Sequence, residues 1–137
     1  MTPRSLALTF ALIASALTAS VQLAVAQAAQ VVVPSGQSVS FQDVIVEEDS
    51  ATVRFRFIAP AIGQDEGDLT YEDVVADFPW LCENVAIPTL DVVGLEVSAI
   101  VISMADAAAD FGQANPNVTQ FFEPFRLEDG SCIVEQF

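Results

Sequence analysis

Hydrophobic and polar positions alternate most cleanly over residues 51–59. Val53, Phe55 and Phe57 fall on one parity, Thr52, Arg54 and Arg56 on the other. That period of two predicts a strand with one apolar face and places Arg54 and Arg56 on the opposite face. Residues 38–47 are rich in Val, Ile and Phe, but the parity changes midway. Val39 and Phe41 share one register, Val44 and Val46 the other. A bulge near Gln42-Asp43 would bring all four to one face. With Glu48-Asp49-Ser50 as the turn, these two strands predict a hairpin.

The period then lengthens. Residues 60–69 read as an acidic loop. Thr70 reads as an N-cap, with Asp73 in the capping-box position three residues on. Over residues 71–83 the apolar set Val74, Val75, Phe78, Leu81 and Cys82 has helical spacing. Pro79 inside that pattern predicts a bend or a split into two short helices, and Pro88 is expected to end the element. Residues 95–104 are apolar on both parities in their middle, which predicts a central strand. Residues 105–117 read as a connection, with Gly112 and Asn115-Pro116-Asn117 as breakers. Residues 119–127 and 131–136 predict a last hairpin turning at Glu128-Asp129-Gly130. The order β-β-α-β-β-β predicts an α+β fold: one antiparallel sheet of about five strands with a bent helix on one face. Pro34-Ser35-Gly36 marks a turn, and Val31-Val32-Val33 can add an edge strand or remain loose.

The N-terminus reads differently. Arg4 and the α-amino group precede an apolar run at residues 6–19, and Ala24-Val25-Ala26 is a small-x-small site before Gln27. This is the pattern of a secretory signal; Ser15, Thr18, Ser20 and Gln22 break up the run that a membrane anchor would need. The expected organisation is a signal peptide at 1–26, a linker at 27–37 and one domain at 38–137. Cleavage would leave 137 − 26 = 111 residues. The expected location is periplasmic or secreted, with no stable membrane span after cleavage.

Charge narrows the function classes. The chain of 137 residues has 19 acids, four arginines, no lysine and no histidine, for a formal charge of -15. Nucleic-acid binding is not expected, because phosphate neutralisation needs clustered cations. Ser-His and lysine-base chemistry are excluded by composition. The two cysteines, Cys82 and Cys132, are expected to pair in an exported chain, and no C-x-x-C motif points to redox work. Asp65, Asp68 and Glu72 offer oxygen ligands near Gly67, a weak calcium candidate whose spacing does not fit an EF-hand. A solvated acidic turn is the better reading of them. Arg54 and Arg56 are expected to pair with nearby acids; the alternative is an anion or partner contact formed with Arg126 if the last hairpin lies beside residues 51–59.

Three blocks carry a family likeness: Leu81-Cys82-Glu83; Val101-Ile102-Ser103 with Asp106; and Gln120-Phe121-Phe122-Glu123 running to Asp129-Gly130-Ser131-Cys132-Ile133. Together they resemble a family of small exported alphaproteobacterial proteins classed as a domain of unknown function. The resemblance implies a periplasmic location and a paired cysteine, and it implies no activity. Some members carry the label acetolactate synthase. A thiamine-diphosphate enzyme needs a large dimeric cofactor site, which 111 residues cannot build. The expected function is therefore a non-enzymatic binding or envelope-support module without a cofactor. Its partner would be an envelope protein or a small ligand. A small-ligand or calcium-binding domain is the alternative, and a carboxylate-based hydrolase the third reading.

Overall fold

The computed structural model of the protein describes residues 29–47, 50–63 and 69–136. The expected signal segment, the acids Asp65 and Asp68, and Phe137 lie outside the described residues.

Six strands form one sheet: β1 (Gln30–Val32), β2 (Ser38–Glu47), β3 (Thr52–Ile58), β4 (Ala99–Ala105), β5 (Gln120–Glu128) and β6 (Ser131–Val134). They lie side by side in chain order. Residues 30–32, within the segment expected as a linker, pair with β2 as an edge strand. The predicted bulge is present: the β2–β3 register shifts between Phe41 and Asp43. It returns Phe41, Val44 and Val46 to the face of their partners Phe57, Phe55 and Val53. The last hairpin turns on Asp129 (φ 49°) and Gly130 (φ 77°). Two central residues with positive φ make the turn whose twist matches that of paired strands.

The expectation of a wholly antiparallel sheet is corrected. β3 and β4 run parallel, while the other four neighbour pairs are antiparallel, so the sheet is mixed. The reason is the helical connection between them. A tight turn joins antiparallel neighbours, but a chain that crosses a sheet face as a helix arrives back at the starting end.

That connection is a bent arm of three short helices: α1 (Tyr71–Val74), α2 (Asp77–Leu81) and α3 (Ile87–Val93), with a π-helical turn at Cys82–Ala86. Thr70 and Asp73 form the predicted capping box, each side chain accepting from the other's backbone N–H. The arm breaks at Val75 and Ala76. Pro79 then sits in the first turn of α2, where its missing N–H would have had no helical partner. Pro88 does not end the element, contrary to expectation. It stands in the first turn of α3, and the π turn before it widens the ladder so that Ile87 N–H reaches Cys82 O. The stop is Gly94, whose left-handed φ of 69° lets its N–H close on Leu90 O.

The arm covers one face of the sheet. Val74, Phe78, Leu81, Cys82, Ala86 and Leu90 are buried against Val53, Phe55 and Phe57 of β3, Ile100, Ile102 and Met104 of β4, and Phe125 of β5. Each large side chain so buried stabilises the fold by about 1.5–3 kcal/mol relative to exposure. Two polar ties fix the arm's position. The Cys82 and Cys132 side chains meet at disulfide distance, with Cα atoms 6.3 Å apart, and Cys132 N donates to Glu83 Oε1 at 3.2 Å. At the other edge, the fully buried Asp77 carboxylate accepts from Ser35 N, Ser35 Oγ and Gln37 Nε2 at 2.7, 2.6 and 2.9 Å. The arm is thereby held to β6 on one side and to the β1–β2 turn on the other.

Candidate functional site

The face of the sheet away from the arm carries the candidate site. Alternation along β3 points Arg54 and Arg56 to this side, as their parity predicts. Register places Val101 and Ser103 of β4 beside them, and Phe122 of β5 next to Ser103. Gln120 of β5 pairs with Ala105 and donates from Nε2 to the buried Ser103 Oγ at 2.8 Å.

The segment between β4 and β5 folds back over this floor. Asp106 closes its base: the carboxylate Oδ1 accepts from Thr119 N at 2.9 Å, and Asp106 N donates to Thr119 O at 3.0 Å. Gly63 packs against the same aspartate, where a Cβ would stand 2.7 Å from Oδ2, so no larger residue fits without a shift. Ala109 O is the second anchor. It accepts from Arg56 Nη2 and, at 3.3 Å, from Gln42 Nε2. Asp43 Oδ2 in turn accepts from Arg56 Nη1 at 3.0 Å. The β2 bulge supplies Gln42 and Asp43 together, so a backbone irregularity and a buried arginine jointly hold the roof.

Between floor and roof lies a cavity of about 320 Å³, with Arg54, Arg56, Phe111, Ala114, Gln120 and Phe122 in its wall. The Arg54 guanidinium carbon is 5.4 Å from the centre of the Phe111 ring and 5.9 Å from that of Phe122. Both distances fall within cation–π range. Arg56 lies 5.8 Å from the Phe111 ring. The two arginines differ in commitment. Arg56 is buried and bonded to a carboxylate and a carbonyl. Arg54 has a looser ion pair, 3.9 Å from Glu47, and its buried Nε has no hydrogen-bond partner among the described residues.

A second cavity, about 370 Å³, lies between α3 and β5, but the charged residues lining it, among those described, are Asp91 and Glu96. Convergent donors beside aromatic surface distinguish the first.

Arg126 is on the same face but does not line the cavity. It sits beside Ala99 of β4 and Ile133 of β6, and pairs with Glu128 at 3.6 Å. Of the calcium candidates, Glu72 is exposed in the first turn of α1; Asp65 and Asp68 are outside the described residues. Among the described residues, no three acids or cysteines gather closely enough to hold a metal ion. Cys82 and Cys132 are on the other face, away from the cavity. One acid–phenol pair also lies there: Tyr71 donates to Glu123, and that bond, with burial and the carboxylate's charge, pushes the phenol up to about 12. Tyr71 thus holds its proton and is no base. The Asp73 carboxyl is held below its ordinary value by the Thr70 backbone and side-chain bonds of the capping box.

Sequence reasoning passed over the roof. Phe111, Gln113 and Ala114 fall in the stretch read as a connection. The available signal was a lone phenylalanine, half-exposed here, among small and polar residues. Compared with known proteins, residues 13–137 match a family model described as "Family of unknown function (DUF6497)". No curated protein matches, and no solved structure matches.

Proposed function

We propose, from the premise that the chain belongs to this family of unknown function, that it is an exported, non-enzymatic binding module of the bacterial envelope, taking a small ligand in the roofed cavity. The family carries no activity to transfer, so the reading stands on the residues. One observation carries it: a cavity of about 320 Å³ whose wall brings together Arg54, Arg56, Phe111 and Phe122. Small-molecule sites combine apolar surface with a few placed polar groups, and this wall has that make-up.

Among the described residues, the wall holds one carboxylate, Asp110, rather than two facing each other. A hydrolase of the two-carboxylate kind needs such a pair, so binding is favoured over turnover. Export to the periplasm, in keeping with the resemblance to alphaproteobacterial exported proteins, rests on the signal pattern at 1–26. The Cys82–Cys132 pair supports it, because such bonds persist in oxidising compartments. No helix among the described residues is long and apolar enough to cross a membrane.

The test is native mass spectrometry of the protein isolated from the envelope fraction. The wild-type protein should carry a small organic molecule, and Ala114→Phe, which fills the cavity from the exposed roof, should not. If both come out bare, and no member of a small-molecule library perturbs the amide resonances of residues 109–114, the binding reading is to be abandoned.

A further inference from the structure

We infer that the ligand is a small organic monocarboxylate, its carboxylate met by Arg54 and its body lying against Phe111 and Phe122. The inference rests on the ligand-binding reading above and specifies the chemistry of that site.

The two arginines are unequally used. Arg56 spends its donors on Asp43 and Ala109, holding the roof. Arg54 has no such role. Its contact with Glu47, at 3.9 Å, is an ion pair outside hydrogen-bond range, and its Nε lacks a partner among the described residues. Nε is shut off from the cavity, so the donors left to meet a ligand are the two Nη groups, on a side chain that is 19% exposed. Contact with two ring faces positions the guanidinium while leaving its in-plane N–H groups for an acceptor. A planar carboxylate fits that fork with two parallel bonds.

Among the described residues, the wall and the ion-pair partners of its arginines hold two cations, Arg54 and Arg56, and three acids: Glu47 and Asp43 as those partners and Asp110 in the wall. The local sum is 2 − 3 = -1, within a chain of formal charge -15. Any anion meets this net negative charge, and a phosphate dianion meets about twice the repulsion that a monocarboxylate does. A single carboxylate placed directly on Arg54 is compensated by contact.

In the rest of the wall, Ala105, Ala109 and Ala114 are small and apolar, and Gln113 and Gln120 add neutral amides. A volume of about 320 Å³ is at the lower end for ligand pockets, which limits the body to a few carbon atoms or one ring.

Isothermal titration calorimetry on the processed protein decides the matter, with benzoate, benzamide and inorganic phosphate as probes. Benzoate should bind one to one, more tightly than either of the other two. Arg54→Gln should weaken benzoate roughly ten- to a hundredfold, the loss expected for a bond to a charged group, and leave benzamide nearly unchanged. Ala114→Phe, in the exposed roof, should remove benzoate and benzamide together and serves as the variant should Arg54→Gln fail to fold. If benzamide matches benzoate, or phosphate exceeds it, or Arg54→Gln leaves benzoate binding intact, the carboxylate assignment is wrong while the cavity remains a binding site. If Ala114→Phe leaves benzoate binding unchanged, the carboxylate is bound elsewhere and the assignment falls. If no probe binds, this inference fails, and the reading beneath it is left to the native mass spectrum and the library screen.

Discussion

Removing the Asp77 carboxylate should be among the most damaging single changes to this fold. The group is fully buried in α2 and accepts three hydrogen bonds from the β1–β2 turn. Asp77→Ala strips the acceptor from all three donors. Ser35 is half-buried, so water can reach its amide and hydroxyl and recover part of the loss. Gln37 is buried, and its Nε2 would be stranded; its only other contact is a weak one, 4.0 Å from Met104 Sδ. A stranded buried donor costs about 1–3 kcal/mol, and each bond lost to a charged acceptor a further fraction, giving about 3–5 kcal/mol in all. Against a total of roughly 5–15 kcal/mol for a domain, that is a large share. Asp77→Asn should be milder, at about 1–2 kcal/mol, because an uncharged amide still accepts one bond. The new amide can also donate to Gln37 Oε1, which is buried without a partner among the described residues. Urea unfolding followed by the fluorescence of Trp80, the chain's one tryptophan and a member of α2, reads both variants. A cost below about 1 kcal/mol for Asp77→Ala, or equal costs for the two variants, would refute the network argument. So would strict additivity of Ser35→Ala with Asp77→Ala, since residues sharing a network couple.

Three further outcomes follow from other elements. Cys82→Ser, or reduction of the protein, should lower stability by about 4 kcal/mol by the chain-entropy estimate, since the bond spans 50 residues and ties the arm to β6; an unchanged melting curve under reductant would contradict it. Tyr71 is the only tyrosine, so the ultraviolet absorbance of phenolate reports it alone, and its midpoint should lie near 12. Because the folded value exceeds the unfolded value of 10.0, its contribution to stability is whole below pH 10.0 and is lost as pH rises through about 12. Glu123→Gln should move that midpoint down, and a wild-type tyrosine titrating at the free value would overturn the Tyr71–Glu123 bond. Finally, N-terminal sequencing of the exported protein should start at Gln27; retention of residues 6–19 would remove the signal reading.

Features that depend on a few neighbouring residues were legible in the chain itself. The alternation around Arg54 and Arg56 set their face. The change of parity at Gln42-Asp43 marked the bulge, Thr70 with Asp73 marked the cap, and Asp129-Gly130 marked the last turn. Each of these acts over two to five residues, through backbone conformation or side-chain period. The parallel pairing of β3 with β4 was not legible. It depends on where a bent arm of residues 71–93 returns the chain, which core burial and the Cys82–Cys132 tie decide across long separations. Pro88 misled for a related reason: locally it breaks a helix, but a π turn let the arm continue and bury Leu90. The cavity lay furthest from view. Its wall comes from β3, from the ends of β4 and β5, and from a roof pinned by the bulge residues of β2. The sequence alone determined that Arg54 and Arg56 share the face away from the apolar core. Only the tertiary structure decided that one of them holds the roof while the other has donors to spare, because that division depends on which acceptors folding brings within hydrogen-bond reach.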